Sequence, residues 1–299
     1  MINFIKYKLY YFLFSLLFLI PGTISLVLYG LKPAIDFTGG ALIEVKFGSK
    51  EGIKSNQVEE KIRELEGVDI SLVQDVKDNS NFIIKLNYID ENKKNEVVSK
   101  LKDLNEDIVE VRFETVGPVL GRELLIKTGV AVFVISLIIL FYIAYQFKDR
   151  VFGIASVLAM FHDTLILLGI FSILGKVFNI EVDTLFVTAL LTTLSFSVHD
   201  TIVVFDRIRE LLNKNQAKSM EEAINKSINQ TLVRSLNNSM TIIFMLTALF
   251  LLGGETTKFF VLALLIGTVS GTYSSTFTAS PLLLVLKTVF KPKPDSKVG

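Results

Sequence analysis

The stretch LFVTALLTTLSFSVHDTIVVF, from Leu185 to Phe205, is apolar enough to be a membrane helix but is interrupted by the tripeptide His199-Asp200-Thr201. A second apolar stretch, IASVLAMFHDTLILLGIFSIL from Ile154 to Leu174, carries the matching tripeptide His162-Asp163-Thr164. About 20 residues of helix cross the hydrocarbon core of a bilayer. An aspartate inside such a helix costs roughly 2.5–3.5 kcal/mol on insertion scales. The two carboxylates are therefore candidate functional groups, and proton transfer within a membrane is the simplest chemistry for them.

Composition also indicates a membrane protein. Of the 299 residues, 51% are hydrophobic, and the mean hydropathy of +0.52 is too high for an ordinary soluble domain. The net charge of +1 does not suggest a nucleic-acid partner. Because the chain has no cysteine, disulfides, zinc–thiolate sites and thiol nucleophiles are excluded. We expect no metal site and no cofactor.

Six apolar stretches predict transmembrane helices. The first follows Lys6 and Lys8 but is interpreted as a retained span, because its apolar run is too long for a typical signal peptide and no A-x-A site follows it. The fifth is short, and we expect it to begin nearer Leu232 with polar residues that face other helices. The predicted spans are Leu9–Tyr29, Leu125–Phe147, Val151–Leu174, Thr184–Phe205, Met240–Gly253 and Phe259–Thr288.

Positive charge predicts the orientation of these spans. Basic residues concentrate before span one, between spans two and three, between spans four and five, and after span six, whereas residues 175–183 and 254–258 carry one lysine each. Since cytoplasmic loops carry the excess of Lys and Arg, both termini are predicted to be cytoplasmic. The residues that decide this are Lys6, Lys8, Lys148, Arg150, Arg207, Arg209, Lys214, Lys218, Lys226, Lys287, Lys291, Lys293 and Lys297.

One large segment, residues 32–122, lies outside the spans and is predicted to be extracytoplasmic. Its hydrophobic pattern alternates between the periods of a strand and of a helix. The resulting order, βαββαβ, is that of a ferredoxin-like domain. We find no catalytic constellation in it and expect a binding or lever domain, not an enzyme. The predicted strands lie around Ile43–Phe47, Ile70–Val76, Phe82–Tyr88 and Val109–Phe113, and the helices are Asn56–Glu66, capped by Ser55, and Glu91–Leu104.

The predicted fold is therefore a six-helix membrane protein with a ferredoxin-like α+β domain between helices 1 and 2. Residues 1–31 form the cytoplasmic N-terminus and helix 1, and residues 32–122 form the extracytoplasmic domain. Residues 123–288 form helices 2 to 6, and residues 289–299 form a cytoplasmic tail.

Five motifs, in this order, carry a close resemblance to the SecF family, whose members are accessory subunits of the bacterial protein-secretion machinery. The similarity covers nearly the whole chain, and the family is in turn similar to the resistance-nodulation-division exporters. The motifs are Asp36-Phe37-Thr38-Gly39-Gly40, Val116-Gly117-Pro118 with Gly121-Arg122-Glu123-Leu124, Phe161-His162-Asp163, Asp200 to Glu210 (DTIVVFDRIRE), and Gly271-Thr272-Tyr273-Ser274-Ser275.

The resemblance implies partners and a location. The expected partner is SecD, a protein of similar architecture supplied by another polypeptide. In this family the pair uses proton flow to pull secreted preprotein chains outward after their passage through the SecYEG channel, and a YajC-type subunit can accompany it. The chain is thus expected in the lipid bilayer of the bacterial plasma membrane.

The resemblance also implies roles for residues of the spans. Asp200 matches an aspartate implicated in proton passage, and Thr201 follows it in the motif. A carboxylate balanced between burial and a nearby cation can take up and release a proton near neutral pH. Arg234 matches the arginine that the family carries where span five begins. It could hold Asp200 ionised, or it could extend to the membrane interface as anchoring arginines do.

Two further residues leave alternatives open. The family usually has asparagine where this chain has His199, and an imidazole there could extend a proton path or bond a neighbouring helix. Adjacent helix positions differ by about 100°, so His199 and Asp200 do not share a face. Asp163 could carry a proton or form a hydrogen bond between helices, whereas His162 is interpreted as a packing residue.

Glycines and charges near the helix ends are interpreted structurally. Gly39 and Gly40 supply a tight turn or a hinge before the first strand, and Gly267 and Gly271 are spaced for close helix packing. The charge cluster at the end of span four is expected to anchor that helix; its members are Asp206, Arg207, Arg209 and Glu210.

Three rival functions use the same features. One is a proton-coupled small-molecule exporter of the resistance-nodulation-division type, although residues 32–122 are a small domain for a substrate path. A second is an intramembrane aspartyl protease, although its Gly-x-Gly-Asp and Tyr-Asp patterns are absent. A third is a divalent-cation transporter that uses both His-Asp pairs. Within the leading interpretation, either a proton or sodium could be the coupling ion.

Overall fold

The computed structural model describes residues 2–48, 53–76, 81–147 and 149–290. They fall into two compact units, Pro33–Val130 on the one hand and Met1–Lys32 with Ala131–Gly299 on the other. Residues 291–299 of the predicted tail, and Lys148 of the predicted positive loop, lie outside the described residues.

The unit Pro33–Val130 contains a four-stranded antiparallel sheet with strand order β2-β3-β1-β4. Its strands and helices follow one another in the predicted βαββαβ order, which is confirmed. A short helix precedes the first strand. The elements are α2 (Ile35–Thr38), β1 (Gly40–Phe47), α3 (Ser55–Arg63), β2 (Ile70–Val76), β3 (Asn81–Leu86), α4 (Glu91–Lys102) and β4 (Ile108–Val116).

Side-chain alternation builds the core of this unit. In β1, Ile43 and Val45 are fully buried, whereas the intervening Glu44 points to the other face of the sheet. Helices α3 and α4 cover the buried face with apolar residues one turn apart. The predicted cap at Ser55 is wrong, because α3 begins at Ser55 itself and Lys54 occupies the capping position. There the Lys54 backbone N–H donates to the Gln57 side chain at 2.9 Å.

The glycine pair before β1 forms a tight turn. Gly39 and Gly40 have φ angles of 73° and 132°, which side chains other than glycine rarely adopt. A Cβ on Gly39 would lie 2.8 Å from the Cα of Pro118, and one on Gly121 would lie 2.7 Å from the Gly39 nitrogen. The glycines therefore let the chain entering β1 pass within contact distance of the helix that begins at Pro118.

Glu64 joins α3 to α4 through an ion pair whose pH dependence can be predicted. Lys100 Nζ lies 2.8 Å and Lys61 Nζ 2.9 Å from its carboxylate oxygens. Hydrogen bonds from Lys100 and then Lys61 lower the pKa of the Glu64 carboxyl to about 2, from an ordinary value of about 4.3. A pKa lower in the folded than in the unfolded state means that this pair stabilises the fold above about pH 4.3, and that the stabilisation is lost as the pH falls towards 2.

We expect Lys100→Gln to raise the pKa of Glu64 towards its ordinary value, because the first of its two donors is removed. Carbon-13 NMR titration of glutamate carboxyls in the purified chain measures this value directly. Lys93→Gln is the matched control, since Lys93 lies on the same helix but pairs with Glu96 at 2.6 Å. An unchanged Glu64 titration in Lys100→Gln would show that the ion pair is absent in solution.

The prediction of six spans is confirmed. Long apolar helices build the second unit, except that residues 118–130 of one of these helices belong to the unit Pro33–Val130. Six helical segments of the described chain are long and apolar enough to cross a membrane: Ile5–Tyr29, Pro118–Gln146, Arg150–Phe178, Thr184–Asn213, Met220–Leu252 and Thr256–Val289. The helices themselves are α1 (Lys8–Tyr29), α5 (Pro118–Gln146), α6 (Arg150–Phe178), α7 (Thr184–Asn213), α8 (Met220–Leu252), α9 (Glu255–Ser274) and α10 (Ser280–Val289).

The helices extend beyond most of the predicted bounds: α5 begins at Pro118 rather than Leu125, and α7 ends at Asn213 rather than Phe205. Two further differences concern the fifth and sixth spans. Helix α8 begins at Met220 rather than near Leu232, because Ser219 caps it by accepting a hydrogen bond from the Glu222 backbone N–H at 3.1 Å. The sixth span is not one regular helix. A π-helical segment, Ser275–Ala279, separates α9 from α10. Such segments insert one extra residue into a helix and often occur at functional sites.

Candidate functional site

Asp163 of α6 lies at the centre of a buried polar cluster. Its Oδ2 accepts hydrogen bonds from Ser197 Oγ of α7 and Ser274 Oγ of α9, each at 2.5 Å. Its Oδ1 accepts one from Ser270 Oγ of α9 at 2.7 Å and lies 2.9 Å from His162 Nδ1. The Asp163 side chain is 6% exposed. One carboxylate therefore joins three helices within the membrane unit.

Glycines in α9 allow this cluster to form. A Cβ on Gly267 would lie 2.2 Å from the Thr193 side chain, and one on Gly271 would lie 3.3 Å from the Ser197 Cα. Helices α7 and α9 therefore approach closely at the positions where close packing was predicted. This approach places Ser270 and Ser274, which lie one turn apart, against Asp163.

The bonding pattern of Asp163 suits an interhelical link. An ionised carboxylate offers about four lone-pair positions, and the four contacts occupy two on each oxygen. An ionised carboxylate only accepts hydrogen bonds. In its contact with such a carboxylate, His162 is therefore the donor, through its Nδ1–H. The other ring nitrogen, Nε2, is buried and has no hydrogen-bond partner among the described residues.

We expect Asp163→Asn to destabilise the folded chain by about 1–3 kcal/mol, the typical cost of leaving a buried polar group unsatisfied. The new amide group would present its own hydrogens to hydroxyls that now donate to Asp163. The midpoint of thermal unfolding of the purified protein in detergent measures the effect. Asp206→Asn is the control, because the Asp206 side chain is only half-buried and lies at the end of α7. Equal midpoints for the two variants would mean that Asp163 does not hold the helices together.

Asp200 of α7 has a different environment. It is half-buried, and its Oδ2 accepts a hydrogen bond from Ser235 Oγ of α8 at 3.1 Å. The adjacent Thr201 is buried and donates to the backbone carbonyl of Ser197 at 2.9 Å. Among the described residues, Asp200 thus has one hydrogen-bond donor, Ser235, where Asp163 has four contacts. It retains acceptor positions for a proton, a water molecule or a moving side chain.

The two basic residues predicted to act with Asp200, His199 and Arg234, lie on helix surfaces that no other part of this chain covers. His199 and Arg234 are both exposed within this chain. Among the described residues, no ion pair joins Arg234 to Asp200; the neighbouring residue, Ser235, occupies that position. His199 points away from the helix contact that Asp200 makes, as the angle between adjacent helix positions requires.

The charge cluster at the end of α7 bonds to neighbouring helices. Arg207 Nε donates to Gln230 Oε1 of α8 at 2.7 Å, and Arg209 pairs with Asp206 at 3.1 Å. Gln146, the last residue of α5, donates to Asp206 at 3.3 Å. No group of three or more histidine, aspartate or glutamate side chains within the described ranges could hold a metal ion.

Comparisons with known proteins match this chain to one family. Residues 96–289 match the family described as "Protein export membrane protein SecD/SecF, C-terminal", and residues 24–51 match the SecD/SecF GG motif. The protein translocase subunit SecF of Thermobaculum terrenum is 45% identical over 299 aligned residues, which cover 95% of this chain and 93% of that protein. The chain belongs to the SecF family. The SecF of Anaerolinea thermophila is 36% identical over 95% of this chain and 94% of its own length.

Solved structures extend the match to the fold. The crystal structure of SecDF from Thermus thermophilus, a translocon-associated membrane protein, matches with a TM-score of 0.82 and 32% identity. SecDF in a super-membrane-facing form matches with a TM-score of 0.64 and 29% identity. Each alignment covers 96% of this SecF-family chain but 39% of the SecDF chain. The alignments leave the rest of those longer proteins unmatched, and SecD is the partner that these relatives support.

The sequence analysis missed several members of the site. Ser197, Ser270 and Ser274 bind Asp163, and Ser235 binds Asp200. Their signal was the spacing of small polar residues within apolar helices, for example Ser270 and Ser274 at one helical turn. Many other serines and threonines of this SecF-family chain share that spacing, and helix rotation decides which of them face a carboxylate.

Proposed function

We propose that this chain is the SecF subunit of the Sec export machinery and that, with SecD, it uses the proton motive force to promote late steps of protein translocation. Membership of the SecF family supports the subunit assignment. The observation that carries the coupling role is the environment of Asp200. It is a half-buried carboxylate in a membrane helix, with one hydroxyl donor from α8 and no ion pair with Arg234 in the described structure.

Asp200 is the proposed proton carrier, and Ser235 and Arg234 are its responsive partners. Protonation would remove the charge that Ser235 now stabilises and would weaken any attraction of Arg234 to this site. The contact between α7 and α8 would change as a result. The membrane potential supplies about 2.3 kcal/mol per charge per 100 mV, and the pH gradient supplies about 1.4 kcal/mol per unit. Energies of this size shift a two-state equilibrium by tenfold factors.

Asp163 has a supporting role in this proposal. Its hydrogen bonds from Ser197, Ser270 and Ser274 hold α6, α7 and α9 together, so they provide a fixed body against which α8 can move. His162 belongs to that fixed body. Thr201 donates to the backbone carbonyl of Ser197, one turn earlier on the same helix, and the Ser197 side chain is one of those that bind Asp163.

The proposed orientation places both termini in the cytoplasm and the α+β domain outside, as the distribution of basic residues favours. The domain then acts as a lever on the secreted chain as it leaves SecYEG. A YajC-type subunit can join the assembly, and no enzymatic step is required. All of these parts operate in the bacterial plasma membrane.

A secretion assay tests the proposal. Bacteria depleted of their own SecD and SecF would carry this chain with its cognate SecD, this chain alone, or neither, and export of a labelled secreted protein would be followed by pulse–chase. We expect the pair to restore late export and the chain alone to leave it near the depleted level. Equal export in all three strains, with both proteins present in the membrane, would overturn the proposed function.

A further inference from the structure

Helices α1 and α6 pack side by side and run in the same direction. Along their seam a close glycine contact is followed by a serine hydrogen bond at 2.9 Å and then by a lysine ammonium 4.7 Å from the centre of a tyrosine ring. Successive contacts are three or four residues apart, which is the spacing of a parallel helix pair. In each pair the α6 residue lies 147 positions after the α1 residue. The pairs are Gly22 with Gly169, Ser25 with Ser172, and Tyr29 with Lys176.

The same register continues beyond the ends of both helices. Lys32 follows the end of α1 by three residues, and its Nζ donates to Asn179 Oδ1 at 3.2 Å, again 147 positions along the chain. Lys32 Nζ also lies 3.7 Å from Glu181 Oε1. The Lys32 backbone carbonyl accepts a hydrogen bond from the Val182 N–H at 2.8 Å. We call these three contacts the Lys32 clasp.

The loop that holds Lys32 leads directly into α7. Val182 is buried in an apolar cluster that also contains residues of α6 and α7. Its neighbour Asp183 caps α7 by accepting a hydrogen bond from the Phe186 backbone N–H at 2.7 Å. Lys32 is therefore fixed to the end of α6 and to the beginning of α7, the helix that carries Asp200.

The clasp bridges a point at which the chain could otherwise pivot. Gly30 separates α1 from Lys32 and has a φ of 66°, a conformation that glycine adopts freely. Within the described structure, a Cβ built on Gly30 would have open space around it to 4 Å. On the other side of Lys32 the chain is stiff, because Pro33 fixes its own φ and restricts the residue before it. Helix α2 begins two residues later, at Ile35.

We propose that the Lys32 clasp transmits force between the α+β domain and helices α6 and α7, and that it stays closed throughout the export cycle. Lys32 is the last residue of the membrane unit and Pro33 the first of the other unit. A pull on the domain enters the membrane unit at Lys32, and the clasp carries it past Gly30 to α7. The inference rests on the lever role that the proposed function gives to the domain.

The path works in both directions. A change in the contact between Asp200 and α8 would displace α7, and the clasp would pass that displacement to Lys32 and so to the start of the domain. Lys32 is then a positioning residue, since it acts through α7 and does not bind the proton. Without the clasp, bending at Gly30 would absorb the displacement.

A disulfide can replace the clasp. A Cβ on Gly175 of α6 would lie 3.5 Å from the Lys32 Cβ, within the range that disulfides span. Because the chain has no cysteine, the double variant Lys32→Cys with Gly175→Cys contains two thiols and no others. When reduced, it lacks the Lys32 ammonium and both contacts of that group. When oxidised, it joins the same two segments by a covalent bond.

Export by this double variant tests the transmission of force. In depleted cells that carry the cognate SecD, we expect the reduced variant to export about threefold or more below the unaltered chain, and oxidation to restore export to nearly the unaltered rate. A residue needed only for folding would not be rescued in this reversible way. Lys32→Cys alone and Gly175→Cys alone are the controls, and neither should respond to the oxidant.

Three results would overturn the inference. Full export by the reduced variant, or equal export by its reduced and oxidised forms, would mean that no force passes through the clasp. Lower export on oxidation, reversed by a reductant, would mean that the clasp must open during the cycle.

Amide hydrogen exchange separates this inference from the proposed function, because it does not depend on export. In the chain purified with its SecD, Lys32→Ala should speed the exchange of the Val182 amide about tenfold. Lys127→Ala is the matched control, since Lys127 pairs with Glu123 at 2.6 Å on α5, and it should leave that exchange unchanged. Equal exchange in both variants would show that the clasp is not formed. If the unaltered pair fails to restore export, the proposed function and the force path both fail, although the exchange result would still show a closed clasp.

Discussion

Asp200→Asn is expected to reduce SecDF-dependent export to the level of cells that lack the pair, a loss of at least about tenfold in the stimulated rate. Asparagine keeps the size of the side chain and can still bond Ser235, which lies 3.1 Å from the carboxylate. It cannot change charge. A coupling step that moves one charge would lose about 2.3 kcal/mol of drive per 100 mV. Pulse–chase export in depleted cells, at matched membrane levels of the variant and its SecD, measures the result.

The control for this prediction is Asp206→Asn, which removes the same charge six residues further along α7. Asp206 pairs with Arg209 at 3.1 Å and accepts a hydrogen bond from Gln146. Asp206 anchors the end of α7 and takes no part in the proposed charge transfer. We therefore expect Asp206→Asn to leave most of the export intact. If both variants export as well as the unaltered chain, Asp200 is structural and the ion path lies wholly in SecD. If both fail equally, helix anchoring rather than charge transfer explains the effect.

The sequence was sufficient for the architecture because hydrophobic length and period are local properties. Strand β2 occupies Ile70–Val76 as predicted. The alternation of its apolar and polar residues, together with the residues that flank it, is sufficient to predict the strand. Helix α8 was harder to delimit. Its first third, from Met220, is rich in polar residues that tertiary contacts bury, such as Asn225, whose side chain accepts from the Ile5 backbone N–H at 3.1 Å. A hydropathy pattern does not predict a helical segment that is stabilised by such polar contacts.

The candidate site was predictable in its carboxylates but not in their partners. Asp163 and Asp200 stand out because a charge in an apolar run is rare. The assignment of Ser274 to Asp163 depends on how α9 rotates against α6, and the π-helical segment Ser275–Ala279 that follows it has no local sequence signal. Likewise, Arg234 and Ser235 are adjacent, and helix rotation decides that Ser235 faces Asp200.

Gly169→Val is expected to prevent the membrane unit from folding, and Gly169→Ala to lower its thermal unfolding midpoint by about 5 °C. A Cβ on Gly169 would lie 2.6 Å from the Cα of Gly22 and 2.8 Å from its carbonyl carbon. Both are backbone atoms and cannot move aside as a side chain would. The crossing helices α1 and α6 must separate, and overpacking of this kind costs about 1–3 kcal/mol.

The matched control is Gly153→Ala, on the same helix. No atom lies within 4 Å of a Cβ built there, so the substitution should be neutral or should stabilise the helix by up to about 1 kcal/mol. Thermal unfolding of the purified variants in detergent compares the two positions. Equal midpoints for Gly169→Ala and Gly153→Ala would mean that α1 does not cross α6 at Gly22.

A hydrogen bond between Ser25 and Ser172, at 2.9 Å, lies one turn from this crossing. Separating the helices would therefore break this bond too. The steric and polar losses would then act together on the contact that fixes α1 against α6.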